Sequence, residues 1–206
     1  MIIKTLTMGS FQVNCYLVID ETTNQAVLID AGGDYELVKS QAEKHNVEIK
    51  ALLNTHGHMD HIAGDYDLQQ NGIKVYAHKD DEFLFKSIKE YLKMVGMPDY
   101  EEPKIDEYIE EDQELTFGNL KFKVVHTPGH TPGGVCFLIE DKLFAGDTLF
   151  ANSVGRTDLA GGSYDLLGQS IQNKLFKLDD NVEVFPGHGR TTTIGHEKRH
   201  NPFFGA

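Results

Sequence analysis

Four segments of the chain place histidine or aspartate just after an apolar run, where a turn is expected. The densest segment runs from Thr55 to His61, and the other three are short turns that contain glycine. Neutral imidazole together with carboxylate suits zinc, iron(II) or manganese better than calcium or magnesium. The ligand-type residues in these four segments are His56, His58, Asp60, His61, His130, Asp147 and His188.

This set of five histidines and two aspartates is larger than one tetrahedral ion requires. It is about right for two divalent ions that share a bridging carboxylate and keep an open position for water. The sequence therefore predicts a metallohydrolase. The remaining histidines lack the repeated context of a turn after a strand, and for them we favour surface or supporting roles. They are His45, His78, His126, His196 and His200.

The elements that must position these ligands are predicted from hydrophobic periodicity and turn residues. Every ligand-bearing turn follows a predicted strand, where loops can aim side chains into one site. Strands are predicted over 11–19, 26–29, 49–53, 74–77, 115–117, 120–125, 135–139, 143–145 and 182–185. Helices are predicted over 34–45, 60–70, 81–95 and 164–178, with one short helix in 191–206.

The helix over 81–95 has the clearest pattern, and Gly96 and Pro98 are expected to end it. Its expected apolar face consists of Leu84, Ile88, Tyr91, Leu92 and Val95. The acidic stretch 99–114 that follows is predicted to be a solvated connecting loop that can include one strand.

The composition restricts the class of protein further. The chain has 206 residues, of which 40% are hydrophobic and 25% are charged, and this predicts a folded protein of one domain spanning 1–206. A net charge of −13 argues against binding to nucleic acid or an anionic membrane. Cys15 and Cys136 lie in apolar strands and are expected to be buried, reduced thiols. We see no signal peptide or membrane span, and predict a cytoplasmic monomer or homodimer.

At this point the chain resembles a known family. The His-x-His-x-Asp-His block followed by His130, Asp147 and His188 resembles the metallo-β-lactamase superfamily. The segments 155–158 (Gly-Arg-Thr-Asp), 161–163 and 193–203 are similar to the short bacterial glyoxalase II-like hydrolases. The ligand block is highly specific for the superfamily, and the Gly-Arg-Thr-Asp segment is moderately specific for the branch of glyoxalase II and persulfide dioxygenase.

This resemblance implies a mixed α/β fold, the four-layer αββα sandwich, with the site at one edge of its two sheets. It implies that the first metal is bound by His56, His58 and His130. It implies that the second is bound by Asp60, His61 and His188, with Asp147 as the bridging ligand. Zinc is the expected metal, with iron and manganese as alternatives.

The activity implied by the resemblance is hydrolysis of a small acyl thioester such as S-lactoylglutathione. Asp60, His61 and Asp147 are the expected catalytic residues. The alternatives are a mononuclear iron persulfide dioxygenase using His56, His130 and Asp147, and a lactonase or phosphodiesterase on the same fold. A metal-binding or sensor protein without catalysis is disfavoured by the complete ligand set.

The chain departs from the larger glyoxalase II enzymes after its last ligand. Few residues follow His188, so we expect the C-terminal helical domain of those enzymes to be missing, which puts glutathione specificity in doubt. Arg156, Tyr164 and Lys198 are the candidate substrate-binding residues, and Arg199 lies beside the last of them. For Arg156, pairing with Asp158 is the favoured interpretation.

Overall fold

The protein is described by a computed structural model that covers residues 1–94, 96 and 101–205. It divides into two compact units, the first comprising 1–109 and 116–120 and the second comprising 110–115 and 121 onwards. Each unit has its own sheet and its own helices. The prediction of a single domain over 1–206 stays a prediction.

The first unit contains a six-stranded mixed sheet in the order β1-β2-β3-β4-β5-β6. Strands β1 to β3 are antiparallel, whereas β3 to β6 pair in parallel. A helix connects each parallel strand to the next, as a parallel crossover requires. The strands are β1 (Ile2–Met8), β2 (Val13–Asp20), β3 (Gln25–Ile29), β4 (Glu48–Leu53), β5 (Lys74–His78) and β6 (Glu107–Ile109). The helices are α1 (Tyr35–His45), α2 (Met59–Ile62), α3 (Asp65–Gln70) and α4 (Glu82–Met94).

The second unit contains the other six-stranded mixed sheet, in the order β14-β13-β10-β9-β8-β7. Strands β10 and β13 are parallel, and β8-β9, β9-β10 and β13-β14 are antiparallel pairs. The strands of this sheet are β7 (Glu114–Phe117), β8 (Leu120–His126), β9 (Val135–Ile139), β10 (Lys142–Gly146), β13 (Glu183–Pro186) and β14 (Thr192–Thr193). The end of β7 and the first residue of β8 fall in the segment 116–120 that is counted with the first unit. A separate hairpin joins β11 (Leu149–Phe150) to β12 (Ser153–Val154), and the helices are α5 (Tyr164–Asn173) and α6 (Ile194–His200).

Each unit is held together by its own apolar core. In the first unit the fully buried side chains include Leu17, Leu28 and Phe85. In the second unit they include Leu143, Leu167 and Ile171, which brings α5 onto the sheet. Both cores are built from the inward faces of strands and the apolar faces of helices, which is the burial that drives folding.

Most of the predicted elements are present, with four differences. The helix predicted over 60–70 is two helices, because Gly64 packs against Ala31 and donates its N–H to the Ala31 carbonyl at 2.7 Å. The helix predicted over 164–178 ends at Asn173 and continues as a 3-10 turn. The strand predicted over 115–117 begins one residue earlier, at Glu114 in β7, so the acidic stretch contains β6 and the first residue of β7. Strands β1, β11, β12 and β14 were not predicted.

The predicted apolar face of α4 can be compared with the structure only at the described residues. Leu84 and Ile88 are buried as expected, whereas Tyr91 is 44% exposed and lies off the buried face. Val95, Pro98 and the start of the acidic stretch (99–100) lie outside the described residues, as does the side chain of Leu92. No helix in the described part of the chain combines the length and apolar character needed to span a bilayer.

The two cysteines give a prediction that is independent of function. Cys15 and Cys136 are free and fully buried, as expected. Burial raises the pKa of the Cys136 thiol to about 11 and raises the pKa of the Cys15 thiol further above its usual range. Because the thiolate is the reactive form, we expect a thiol reagent at pH 8 to label neither cysteine until the protein is unfolded. Rapid labelling of the native protein would contradict the burial.

Candidate metal centre

The first unit gathers four of the seven predicted ligands at the end of β4. The chain leaves β4 at Leu53, passes through His56 and His58, and enters α2, where Asp60 and His61 lie. The ring centroids of His56 and His61 are 4.1 Å apart, and those of His56 and His58 are 4.9 Å apart. Asp60 Oδ2 lies 3.9 Å from His61 Nε2. Three imidazoles and one carboxylate therefore converge on one small region.

Asp30 orients this group from the end of β3. Its carboxylate accepts hydrogen bonds from Thr55 N at 2.7 Å, Thr55 Oγ1 at 2.8 Å and His61 Nδ1 at 2.8 Å. Since the Thr55 hydroxyl donates to Asp30, it can accept from His56 Nδ1, which lies 3.1 Å away. In both histidines the nitrogen in this hydrogen bond is Nδ1, so Nε2 is the nitrogen that would bind a metal ion. A hydrogen bond of this kind behind a histidine is typical of metal ligands.

Sequence reasoning missed Asp30. It is one aspartate after a strand, with a left-handed φ of 57° and 1% exposure. The only available signal was its position at the end of β3, the strand that pairs with β4. An acidic residue at the end of the neighbouring strand can reach a ligand loop. That signal is weak because aspartate is also common in turns that have no functional role.

Gly57 is needed for close packing between the ligand loop and α4. Its N–H donates to Asp81 Oδ2 at 2.9 Å. A Cβ atom at this position would lie 2.9 Å from Leu84 Cβ, closer than packed carbon atoms come. Gly57 is not among the residues with positive φ. The sequence is therefore constrained here by contact with α4 rather than by an unusual backbone angle.

A second buried carboxyl group lies behind His61. Asn54 Nδ2 lies 3.4 Å both from the His61 carbonyl oxygen and from Asp65 Oδ1. Burial raises the pKa of the Asp65 carboxyl well above its usual range. The protonated, neutral form is favoured there because an ion is costly in a dry interior. The neutral form of Asp65 would add no second negative charge beside Asp30.

The second unit gathers the other three predicted ligands. His130 lies in the loop after β8, Asp147 follows β10 and His188 follows β13. Asp147 Oδ2 is 3.6 Å from His130 Nε2 and 3.6 Å from His188 Nε2. The carboxylate therefore lies between two imidazoles, which suits a residue that bridges two ions. The β10–β13 pairing has a register shift between Phe144 and Gly146, just before Asp147.

The loop of His130 is fixed by contacts with α5. Gly129 has φ 141°, and a Cβ there would overlap the backbone of Leu167. Ser163 N donates to the Gly129 carbonyl at 2.8 Å, and Ser170 Oγ donates to the Pro128 carbonyl at 2.8 Å. These contacts hold the backbone on both sides of the ligand.

His130 is oriented by the segment that follows the β11–β12 hairpin. Its Nδ1 donates to the Arg156 carbonyl oxygen at 2.7 Å, which again leaves Nε2 for a ligand role. Gly155 allows this approach, because a Cβ there would overlap the Asp147 carbonyl oxygen. Glycine is therefore required at position 155 because the Asp147 backbone lies too close for any side chain.

The three predicted substrate-binding residues all lie in the second unit. Arg156 donates from Nε and Nη2 to the two carboxylate oxygens of Asp158, at 2.7 and 2.8 Å, and this holds the pKa of Asp158 at about 2. Tyr164 is half exposed and packs against Phe204, with ring centroids 5.1 Å apart and the ring planes tilted by 36°. Substrate contact by these two side chains stays a prediction.

Lys198 lies on α6 with its ammonium group already engaged. It donates to the Leu178 carbonyl at 2.8 Å and to Asp180 Oδ1 at 2.7 Å. Arg199 donates to the other oxygen of Asp180 at 2.9 Å. A substrate carboxylate would have to compete with Asp180 for both cations, and the role of Lys198 in substrate binding stays a prediction.

Comparison with known proteins agrees with this geometry. The family model of the metallo-β-lactamase superfamily matches residues 8–188. The hydroxyacylglutathione hydrolase GloC of Haemophilus influenzae is 38% identical, and the match covers 98% of this chain and 97% of GloC. The crystal structure of the BLEG-1 B3 metallo-β-lactamase superposes with a TM-score of 0.91 at 36% identity and covers 100% of both chains. TTHA1623 in a di-iron-bound form superposes with a TM-score of 0.87 at 36% identity, covering 97% of this chain and 99% of that chain. The predicted mixed α/β fold is confirmed.

Proposed function

The chain belongs to the metallo-β-lactamase superfamily, and we propose that it is a dinuclear metal-dependent hydrolase of small acyl thioesters. The acyl-thioester class is suggested by the similarity to GloC, whose name states that it hydrolyses hydroxyacylglutathione. We propose that the protein acts on a small molecule in the cytoplasm and that it binds neither nucleic acid nor a membrane.

The orientation of the histidines is the observation that carries this proposal. His56, His61 and His130 each use Nδ1 in a hydrogen bond, with Thr55, Asp30 and the Arg156 carbonyl respectively. This arrangement sets Nε2 as the metal-binding nitrogen and makes it a better ligand. Histidines that serve only as packed core residues need no common orientation, so its repetition supports a metal centre.

The donor set fits two divalent ions. We propose one centre in which His56, His58 and His130 bind one ion and Asp60, His61 and His188 bind the other, with Asp147 shared. Imidazole nitrogen and carboxylate oxygen suit zinc, iron(II) and manganese, and zinc is our first choice.

Two such ions, when bound, would lower the pKa of a shared water and polarise a thioester carbonyl. Asp147 would hold the two ions at a fixed separation. Asp60 would orient the attacking water as well as act as a ligand. Asp30 and the Arg156 carbonyl would keep His61 and His130 from rotating as the substrate binds.

A substrate panel tests the proposed reaction. The metal-loaded protein is assayed with S-lactoylglutathione, the oxygen ester methyl lactate, a simple lactone, a phosphodiester and a β-lactam. We expect release of free thiol from the thioester at a kcat/KM that is ordinary for an enzyme. This kcat/KM should be at least about a hundredfold above the value for every other substrate. Faster turnover of the lactone, the phosphodiester or the β-lactam would overturn the thioester proposal.

A second reaction is kept because a specific segment fits it. The segment 155–158 resembles persulfide dioxygenases as well as glyoxalase II, and iron is a metal that a relative of known structure binds, there as a di-iron form. A two-histidine, one-carboxylate set of His56, His130 and Asp147 would suit a single iron with open positions for oxygen. Oxygen uptake with glutathione persulfide by the iron-loaded protein, without thioester hydrolysis, would favour this reaction.

A further inference from the structure

The second unit contains a fully buried carboxylate that the proposed chemistry does not use. Glu197 lies on α6 with 0% exposure. Its Oε2 accepts from Asn152 N at 3.0 Å and from Asn201 Nδ2 at 2.8 Å, and its Oε1 accepts from Thr192 Oγ1 at 2.6 Å. A carboxylate accepts hydrogen bonds and cannot donate them, so all three donors converge on it.

These hydrogen bonds hold the tip of the β11–β12 hairpin. Asn152 has a left-handed φ of 57°, and its backbone N–H is directed at Glu197. Its side-chain oxygen lies 2.8 Å from His196 Nε2 on the same helix. Asn201 Nδ2 also donates to the Ser153 carbonyl at 3.1 Å. Helix α6 and its C-terminal cap therefore form hydrogen bonds with two consecutive residues of the hairpin, Asn152 and Ser153.

The hairpin connects directly to the ligands. It begins just after Asp147, and Phe150 contacts the ring of His188 with centroids 6.3 Å apart. It ends just before Gly155, whose N–H lies 3.4 Å from the Thr148 carbonyl. The next residue, Arg156, supplies the carbonyl that accepts from His130 Nδ1. A shift of the hairpin would move both the acceptor of His130 and the ring beside His188.

We propose that Glu197 is a positioning residue for the metal centre, which it controls by fixing the β11–β12 hairpin and, through it, the orientation of His130 and His188. This inference rests on the proposed metal centre. It assigns the buried carboxylate of α6 a supporting role, acting on the two histidines through the hairpin that Arg156 and Phe150 adjoin.

The role of Glu197 is tested by measuring zinc affinity rather than activity. The dissociation constant of zinc is measured by competition with a chromophoric chelator. Supporting partners of ligands change metal affinity by about 10–100-fold, and we expect Glu197→Ala to weaken zinc binding by about tenfold. Glu197→Gln can still accept from Asn152 and Asn201 with its oxygen and donate to Thr192 with its nitrogen. We expect it to stay within about twofold of the unchanged protein, less than the loss expected when a supporting contact is removed.

Thr193→Ala provides the matched control for a purely structural effect. Thr193 Oγ1 accepts from His196 N at 3.1 Å and caps α6, whereas Glu197 and Asn201 make the hydrogen bonds to the hairpin backbone. Loss of this cap is expected to lower Tm by about 2–4 °C, with zinc affinity unchanged. If Glu197→Ala does not fold, Asn201→Ala replaces it. We expect this variant to weaken zinc binding by about threefold, because the hydrogen bond from Asn152 to Glu197 still holds the hairpin.

The outcomes separate this inference from the proposed function. If Glu197→Ala, or Asn201→Ala in its place, lowers Tm but binds zinc as tightly as Thr193→Ala, the positioning role is wrong while thioester hydrolysis can still hold. If the unchanged protein binds zinc but hydrolyses no thioester, the proposed function is wrong. In that case the zinc affinities of the variants still decide the role of Glu197.

Discussion

Replacing Asp147 with alanine is expected to remove most of the bound metal and nearly all of the activity. Its Oδ2 lies 3.6 Å from both His130 Nε2 and His188 Nε2, so one carboxylate adjoins two of the candidate ligand imidazoles. Loss of a partner behind a ligand already weakens metal binding by about 10–100-fold, and loss of a bridging ligand is expected to exceed the upper end of that range. Metal content after dialysis and kcat/KM for S-lactoylglutathione measure the effect.

His45→Ala is the matched control for this experiment. His45 is the last residue of α1 and belongs to neither group of predicted ligands. We expect its removal to leave metal content and kcat/KM within about twofold of the unchanged protein, since surface changes away from special features have small effects. Equal losses in the two variants would show that the ligand assignment is wrong.

Replacing Asp30 with asparagine is expected to cause the second largest effect. Asparagine tolerates the left-handed φ of 57° at this position, so the backbone is not strained. An amide has one acceptor oxygen, so its NH2 group would face a donor that the carboxylate now satisfies, either Thr55 N at 2.7 Å or His61 Nδ1 at 2.8 Å. Either way, the hydrogen bonds that orient His61 and Thr55 lose one acceptor. We expect metal affinity to fall by about 10–100-fold and the free energy of unfolding by about 1–3 kcal/mol.

Asp20→Asn separates the metal effect from general destabilisation. Asp20 also accepts several hydrogen bonds in the first unit, from Thr22, Thr23 and Asn119 N. It lies beside the start of β3, whereas Asp30 follows the end of β3. We expect Asp20→Asn to lower stability without changing metal affinity. Zinc titration and chemical denaturation of both variants decide this, and equal loss of metal affinity would argue against a specific role for Asp30.

The sequence was sufficient to single out the segments of the candidate ligands, because each combines residue type with a position after a strand. His56 and His61, for example, are separated along the chain by one turn and lie together in the first unit. The strands that carry them were also predicted, since their apolar runs are continuous and end at turn residues. Those signals are local, so they can be read without the fold.

The features that the sequence did not reveal depend on contacts between distant residues. Asp30 meets His61 across 31 positions, and Asn152 meets Glu197 across 45 positions. Neither carboxylate has a neighbouring residue that marks it as special. The break between α2 and α3 likewise depends on Gly64 touching Ala31. Strand β1 was missed because it lies at a sheet edge and much of it is half exposed, so its alternation is weak.

The most direct test of the central claim is to count metal ions per chain and follow thioester turnover on the same sample. The purified protein is stripped with a chelator, then titrated with zinc while S-lactoylglutathione hydrolysis is measured. We predict that turnover disappears on stripping and returns as about two ions bind per chain. Full turnover with one ion bound, or turnover that survives complete removal of metal, would contradict a dinuclear metal-dependent hydrolase.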